Sequence, residues 1–148
     1  MNTDWSHGYD VSMPYPHGFC REMSPVWLDF CAAYAGIAAP PREAQGYRFL
    51  DLGCGQGDGL CVLAAANPNA EFVGVDFLPE HIQYANALAA EAGLTNVRFV
   101  QADFCELAQG WPADLGRFHY IAMHGVLSWV PPEVRRAYNS ARAGRPTD

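Results

Sequence analysis

No lysine occurs anywhere in the chain; all nine basic residues are arginines. That single absence removes Schiff-base chemistry, pyridoxal phosphate attachment and the phosphate-binding lysine of a P-loop. Positive charge is scarce as well, since sixteen acidic residues leave a net charge of −7. Such a balance repels phosphate backbones and anionic lipid surfaces, so nucleic acid is not expected as a partner. The five cysteines, at 20, 31, 54, 61 and 105, include no C-x-x-C pair and are odd in number. They fit reduced thiols rather than a disulfide framework or a zinc site. His17 and Cys20 have a ligand-like separation, but one pair makes no metal site, and a turn beside a buried thiol is expected. No signal segment opens the chain, and no apolar run reaches the ~18 residues of a membrane helix. The expectation is one cytoplasmic domain without a metal, of ordinary size at 148 residues.

What is present follows an alternating plan. Residues 1–23 carry Trp5, Tyr9, Tyr15 and Phe19 without period and read as an irregular arm. Ser24 and Pro25 have the form of a helix start, and Val26, Trp27, Phe30, Cys31, Tyr34 and Ile37 repeat at helical spacing until Gly36 and Pro40-Pro41. Short apolar runs at 47–52, 72–75, 97–100 and 120–123 then alternate with helical stretches at 60–66 and 79–92. That order predicts an α/β fold built from parallel βαβ units buried on both faces. The domain is placed at 24–139, with 140–148 as a frayed tail. Ligands of such sheets bind outside the carboxyl ends of the strands. Here those ends are Asp51-Leu52, Val75-Asp76, Ala102-Asp103 and Met123-His124.

The first strand runs into LDLGCGQGDG, with glycines at 53, 55, 57 and 59. Read from Gly53, the sixth position is Asp58, so the dinucleotide spacing G-x-G-x-x-G is not met and a nicotinamide-dependent oxidoreductase is disfavoured. Between Phe49 and Val97 there is no arginine or lysine, whereas Asp51, Asp58, Glu71, Asp76, Glu80 and Glu91 are acidic. A pyrophosphate would meet no countercharge there, and a cationic or neutral ligand would. Asp76, at the end of the second strand, is placed to accept both hydroxyls of a ribose, or to cap the helix that follows. Asp103 reads as an acceptor for an adenine amine, with Phe104 beside the ring, or as a capping acid. A free ribose diol, an adenine and a positive appendage near Asp51 together describe S-adenosylmethionine.

LDLGCGQG, EFVGVDFLPEHI, NVRFVQADF and FHYIAMHGVLSWVPPEVR, in that order, resemble the signature segments of class I S-adenosylmethionine-dependent methyltransferases. With YPHGFCREMSP upstream, the chain is similar over residues 9–138 to a bacterial group in which this domain precedes a regulatory domain, some members methylating protein lysines. The resemblance implies a Rossmann-like parallel sheet of order 3-2-1-4. It implies that Asp51, Gly53, Cys54, Gly55 and Gly57 flank the methionine part. Asp76 and Phe77 would lie at the ribose, Asp103 and Phe104 at the adenine, and His124 with Gly125 beside the transferred methyl. It also implies strands after the fourth, so a truncated domain is expected, its fourth strand left as an edge open to self-association.

His124 reads as an orienting or proton-accepting catalytic residue, or equally as a strand-end histidine bonded to backbone. Ser128 and Trp129 line an acceptor channel or staple the next helix. Tyr9 and Tyr15 cover the cofactor or simply pack. Cys54 reads as a small side chain beside the ligand rather than a nucleophile, and His81 as a surface residue. Two functions follow: a methyltransferase acting on an acceptor such as a protein side chain, or a module that binds S-adenosylmethionine and transfers nothing.

Overall fold

In the computed structural model, residues 16–40, 46–128, 130, 132 and 135–136 are described. Tyr9, Tyr15, Trp129 and the tail 140–148 lie outside them. The elements run α1 (Pro25–Tyr34), β1 (Arg48–Leu52), α2 (Asp58–Ala66), β2 (Glu71–Asp76), α3 (Pro79–Glu91), β3 (Val97–Gln101), α4 (Phe104–Gln109) and β4 (Tyr120–Ala122). The strands form one parallel sheet in the order β3-β2-β1-β4, as expected.

Register explains the two cores. Phe49 stands opposite both Phe72 and Tyr120, and Gly74 opposite Phe99, so these positions share one face of the sheet. There they pack with Leu60 and Leu63 of α2 and with Ile82, Ala85 and Ala89 of α3. The alternate residues Leu50, Leu52, Val73 and Val75 face the other way, onto Phe104 and Leu107 of α4, Leu115 and Val130. A sheet covered on both sides favours apolar residues on both faces of its inner strands, and this is why Phe49-Leu50 and Phe72 to Val75 run without polar alternation. Gly74 has a packing reason of its own: a Cβ there would stand 2.7 Å from the Phe99 ring and 2.8 Å from Cys54 Sγ.

The end of the sheet remote from the glycine loop is clamped by Arg48. Its guanidinium forks onto Glu71 (2.8 and 3.0 Å), donates to the carbonyls of Leu115 (2.9 Å) and Arg117 (2.7 Å), and lies 4.5 Å from the Phe118 ring centre.

Helix α1 begins as its sequence predicts, with the Ser24 side chain accepting from the Trp27 N–H and Pro25 in the first turn. Its periodic apolar side chains are another matter. Val26, Phe30, Tyr34 and Ile37 face outward, Phe30 59% and Tyr34 88% exposed, so the period marks a surface stripe rather than a core face. A hydrogen bond from Tyr120 Oη to Asp29 (2.7 Å) ties the helix to β4. Among the described residues, no helix is long and apolar enough to cross a membrane.

Candidate functional site

The carboxyl ends of β1, β2 and β4 meet the glycine loop, and backbone hydrogen bonds fix that loop. Gly53 and Cys54 both donate to the Val75 carbonyl (2.8 and 3.0 Å), and Gly57 donates to the Cys54 carbonyl (3.1 Å). Gly57 then starts α2 with φ at 77°, and a Cβ on it would stand 2.7 Å from Ala85 Cβ and from the Phe99 ring. Gly53, at φ 81°, is crowded by Val126 in the same way. These two glycines are required by the protein's own packing, independently of any ligand.

A cavity of about 90 Å³ opens beside the loop, bounded by Asp51, Gly53, Cys54, Leu60, Phe19 and His124. Phe19 belongs to the end of the arm, which bends across the start of α2. There His17 pairs with Asp58 (3.0 Å) and its ring lies 5.3 Å from that of Tyr84. His17 is therefore engaged with an acid. Cys20 is partly exposed rather than buried, its thiol donating to Glu22 (3.4 Å). Among the described residues no group of three His, Cys, Asp or Glu side chains could hold a metal ion.

Asp51 is the most unusual charge in the molecule. It is 8% exposed, and its Oδ1 is buried with no hydrogen-bond donor. Burial first, and the neighbouring Asp76 second, raise its pKa to about 7. An acid raised in this way costs stability as the pH climbs from about 4 to about 7, because the unfolded chain gives up its proton first; below about 4 the cost is absent. Burial, then Asp51 and Asp76, also push the Cys54 thiol well above its ordinary range. That keeps it a neutral thiol, a poor nucleophile and a compact wall of the cavity.

Asp76 is bound into the fold from three sides. Oδ2 accepts from the Gly55 N–H (2.9 Å), and Oδ1 accepts from the Leu78 N–H (3.0 Å) and faces His81 Nδ1 (3.2 Å). Leu78, not Asp76, is the N-cap of α3. A carboxylate offers about four acceptor positions, so about one remains, on Oδ2. Sequence reasoning gave Asp76 both ribose hydroxyls; the internal donors leave room for one. It also placed His81 on the surface, whereas its side chain is 14% exposed and turned onto this carboxylate.

The remaining expected residues are distributed unevenly. Phe77 is partly buried, its carbonyl accepting from the Gln101 side chain (3.4 Å). Asp103 is the N-cap of α4 in a reciprocal capping box with Glu106, accepting at 2.7 Å and returning an N–H at 3.3 Å. Phe104 is a correction: its ring belongs to the apolar core with Leu50 and Val73, not to a ligand wall. His124 is exposed at the cavity and Gly125 follows it with φ at 72°, while Ser128 lies exposed in a turn. Gln56 escaped notice: its Oε1 is buried without a donor, flanked by Gly55 and Gly57.

A parallel sheet of order 3-2-1-4 with a glycine loop after its first strand is a Rossmann-like arrangement, and it matches the structures of Rossmann-like methyltransferases. The family model described as "Methyltransferase domain" matches residues 43–143. The chain belongs to that family, and S-adenosylmethionine is its cofactor. PKMT2 from Rickettsia typhi, solved in complex with AdoHcy, superposes with a TM-score of 0.73 at 30% identity, over 84% of this chain and 23% of that one. An uncharacterized protein from Synechocystis sp. is 35% identical over 90% of this chain and 26% of its own length. A tRNA (guanine-N(7)-)-methyltransferase from Rubrobacter xylanophilus is 45% identical over 39% of this chain and 26% of its own length. The chain thus spans about a quarter of each of these relatives. The residues present fit a cationic cofactor: Asp51 borders the cavity and has a buried oxygen without a donor, and no arginine or lysine lies between Phe49 and Val97.

Proposed function

We propose that the domain holds S-adenosylmethionine against the ends of β1 and β2 and directs its methyl group to a nucleophilic side chain of a protein. The observation that carries the reading is Asp51 in the cavity wall, an enclosed acid whose Oδ1 has no hydrogen-bond donor, in a segment without arginine or lysine. The cofactor supplies an electrophilic methyl on a sulfonium. Asp51 attracts the cationic part, Asp76 accepts one ribose hydroxyl, and the backbone at Gly53 to Gly57 borders the methionine part. The Asp103 region receives the adenine, with backbone rather than the Phe104 ring as its boundary. His124, exposed at the cavity, orients a neutral amine acceptor or takes the proton that it must shed. Positioning and exclusion of water supply most of the rate in such a displacement, so no triad or metal is needed.

The protein acceptor is supported by the resemblance to the group that includes lysine methyltransferases, by PKMT2 as a structural neighbour, and by the net charge of −7. The tRNA methyltransferase relative favours a nucleic-acid acceptor as the second reading. Calorimetric titration is expected to show binding of S-adenosylmethionine and none of NAD. Labelled methyl groups should then appear on a lysine-rich protein and not on tRNA. His124→Ala should bind the cofactor within about threefold of wild type while turnover falls about 100-fold, the usual scale of acid–base assistance. A folded sample that binds no S-adenosylmethionine would sink the reading, and binding without transfer to either acceptor would leave a non-catalytic module.

A second expectation concerns proton release. A cation favours the ionised form of Asp51, so binding should expel a proton, and the dissociation constant should rise about tenfold between pH 8 and pH 6, across the pKa of about 7. Titration in two buffers of different ionisation enthalpy measures the proton directly. Asp51→Asn should abolish this dependence, and should raise the melting temperature of the free protein above pH 7 while changing it little near pH 4.

A further inference from the structure

We infer that His81 is a positioning residue for the ribose-binding carboxylate, holding Asp76 so that its one remaining acceptor position on Oδ2 is turned outward. The inference rests on Asp76 binding ribose, as proposed above. Its ground is the arrangement around that side chain. His81 projects from the first turn of α3, and its Nδ1 stands 3.2 Å from Asp76 Oδ1, both side chains being largely enclosed at 14% and 12% exposure. Oδ1 already accepts from the Leu78 N–H. Facing a carboxylate oxygen, Nδ1 serves as the donor.

The two backbone donors set the orientation of the carboxylate, Gly55 on Oδ2 and Leu78 on Oδ1, and leave one acceptor position open on each oxygen. The imidazole fills the second position on Oδ1 and braces that orientation from a third side. It also withdraws Oδ1 from the ligand, so that a ribose must approach Oδ2. His81 therefore acts on the cofactor through Asp76, in the way that an outer partner orients a metal-bound carboxylate. It sets which hydroxyl is read as well as how tightly.

The test is calorimetric binding of S-adenosylhomocysteine and of its 2′-deoxy and 3′-deoxy analogues to the purified chain. His81→Phe keeps the ring and removes both nitrogens, and is expected to weaken the parent ligand about tenfold, the effect of one hydrogen bond to a charged group. His81→Asn offers an amide N–H near the place of Nδ1 and should recover to within about threefold of wild type. In His81→Phe the penalty for removing one of the two hydroxyls should shrink severalfold, which a loss of general packing would not produce. If the phenylalanine variant does not melt cooperatively, His81→Leu carries the same expectations. Wild-type affinity in both nitrogen-free variants overturns the inference, as does equal weakening by Phe and Asn with unchanged hydroxyl penalties. If folded wild-type protein binds none of the ligands, the proposed function itself fails.

Discussion

Asp76→Ala should raise the dissociation constant for S-adenosylmethionine by more than 100-fold, with the fold retained. The size follows from what the carboxylate does at once. It takes the Gly55 N–H and the Leu78 N–H, and so joins the glycine loop to the start of α3, and in the proposed function it also accepts a ribose hydroxyl. Hydrogen bonds to a charged group contribute about 1.5–3 kcal/mol each. Losing the ribose contact and loosening the loop that borders the methionine part together exceed the ~2.7 kcal/mol that 100-fold requires. Asparagine is no conservative replacement here, because Gly55 donates to one oxygen and Leu78 to the other, so the amide nitrogen meets a donor in either orientation. Asp76→Asn should therefore weaken binding at least tenfold. Isothermal titration checks both, and binding of the alanine variant within threefold of wild type would remove Asp76 from the site.

Gly57→Ala should cost about 3 kcal/mol of folding stability or more, and lower the melting temperature by roughly 10 °C. Two effects combine. The left-handed backbone, φ 77°, penalises a side chain by about 1–2 kcal/mol. The added methyl would also stand 2.7 Å from Ala85 Cβ and from two atoms of the Phe99 ring, forcing α3 or β3 to move. Gly93 separates the terms, for it too has a positive φ, 66°, but open space around its Cα. Gly93→Ala should cost only about 1 kcal/mol, the backbone term alone. Denaturant titration of both variants measures the difference; equal losses would show that crowding at Gly57 relaxes without cost.

The fold was legible because each strand is short, with a mostly apolar centre bounded by turn residues, and because Ser24-Pro25 and Pro79…Gly93 mark helix ends. Burial was less so. Val26, Phe30, Tyr34 and Ile37 repeat as a core face would, yet spacing reports only that residues share a side, not which side meets the sheet. At the site, acids at strand ends could be found from sequence, since strand ends are where such sheets bind ligands. Their partners could not. The reciprocal cap of Asp103, the core position of Phe104 and the His81 contact depend on side-chain direction within one turn. The same limit applies to the glycines: the sequence shows that a side chain is missing at 53 and 57, but only coordinates show that Val126, Ala85 and Phe99 occupy the space.

The placement of β1 at the centre of the sheet has a consequence for how the chain acquires its structure. β1 pairs on one side with β2, the next strand in sequence, and on the other with β4, whose flank reaches back to Arg48 through a hydrogen bond between groups 71 residues apart. During synthesis Phe49 and Leu50 therefore emerge long before Tyr120 and Ile121, and half of the central strand waits unpaired. Non-local parallel pairing of this kind is slow, and exposes an apolar strand to other chains in the interval. Conditions that shorten or cover the interval, such as faster translation beyond β3 or a chaperone that shields β1, should raise the soluble yield without touching any contact of the folded domain.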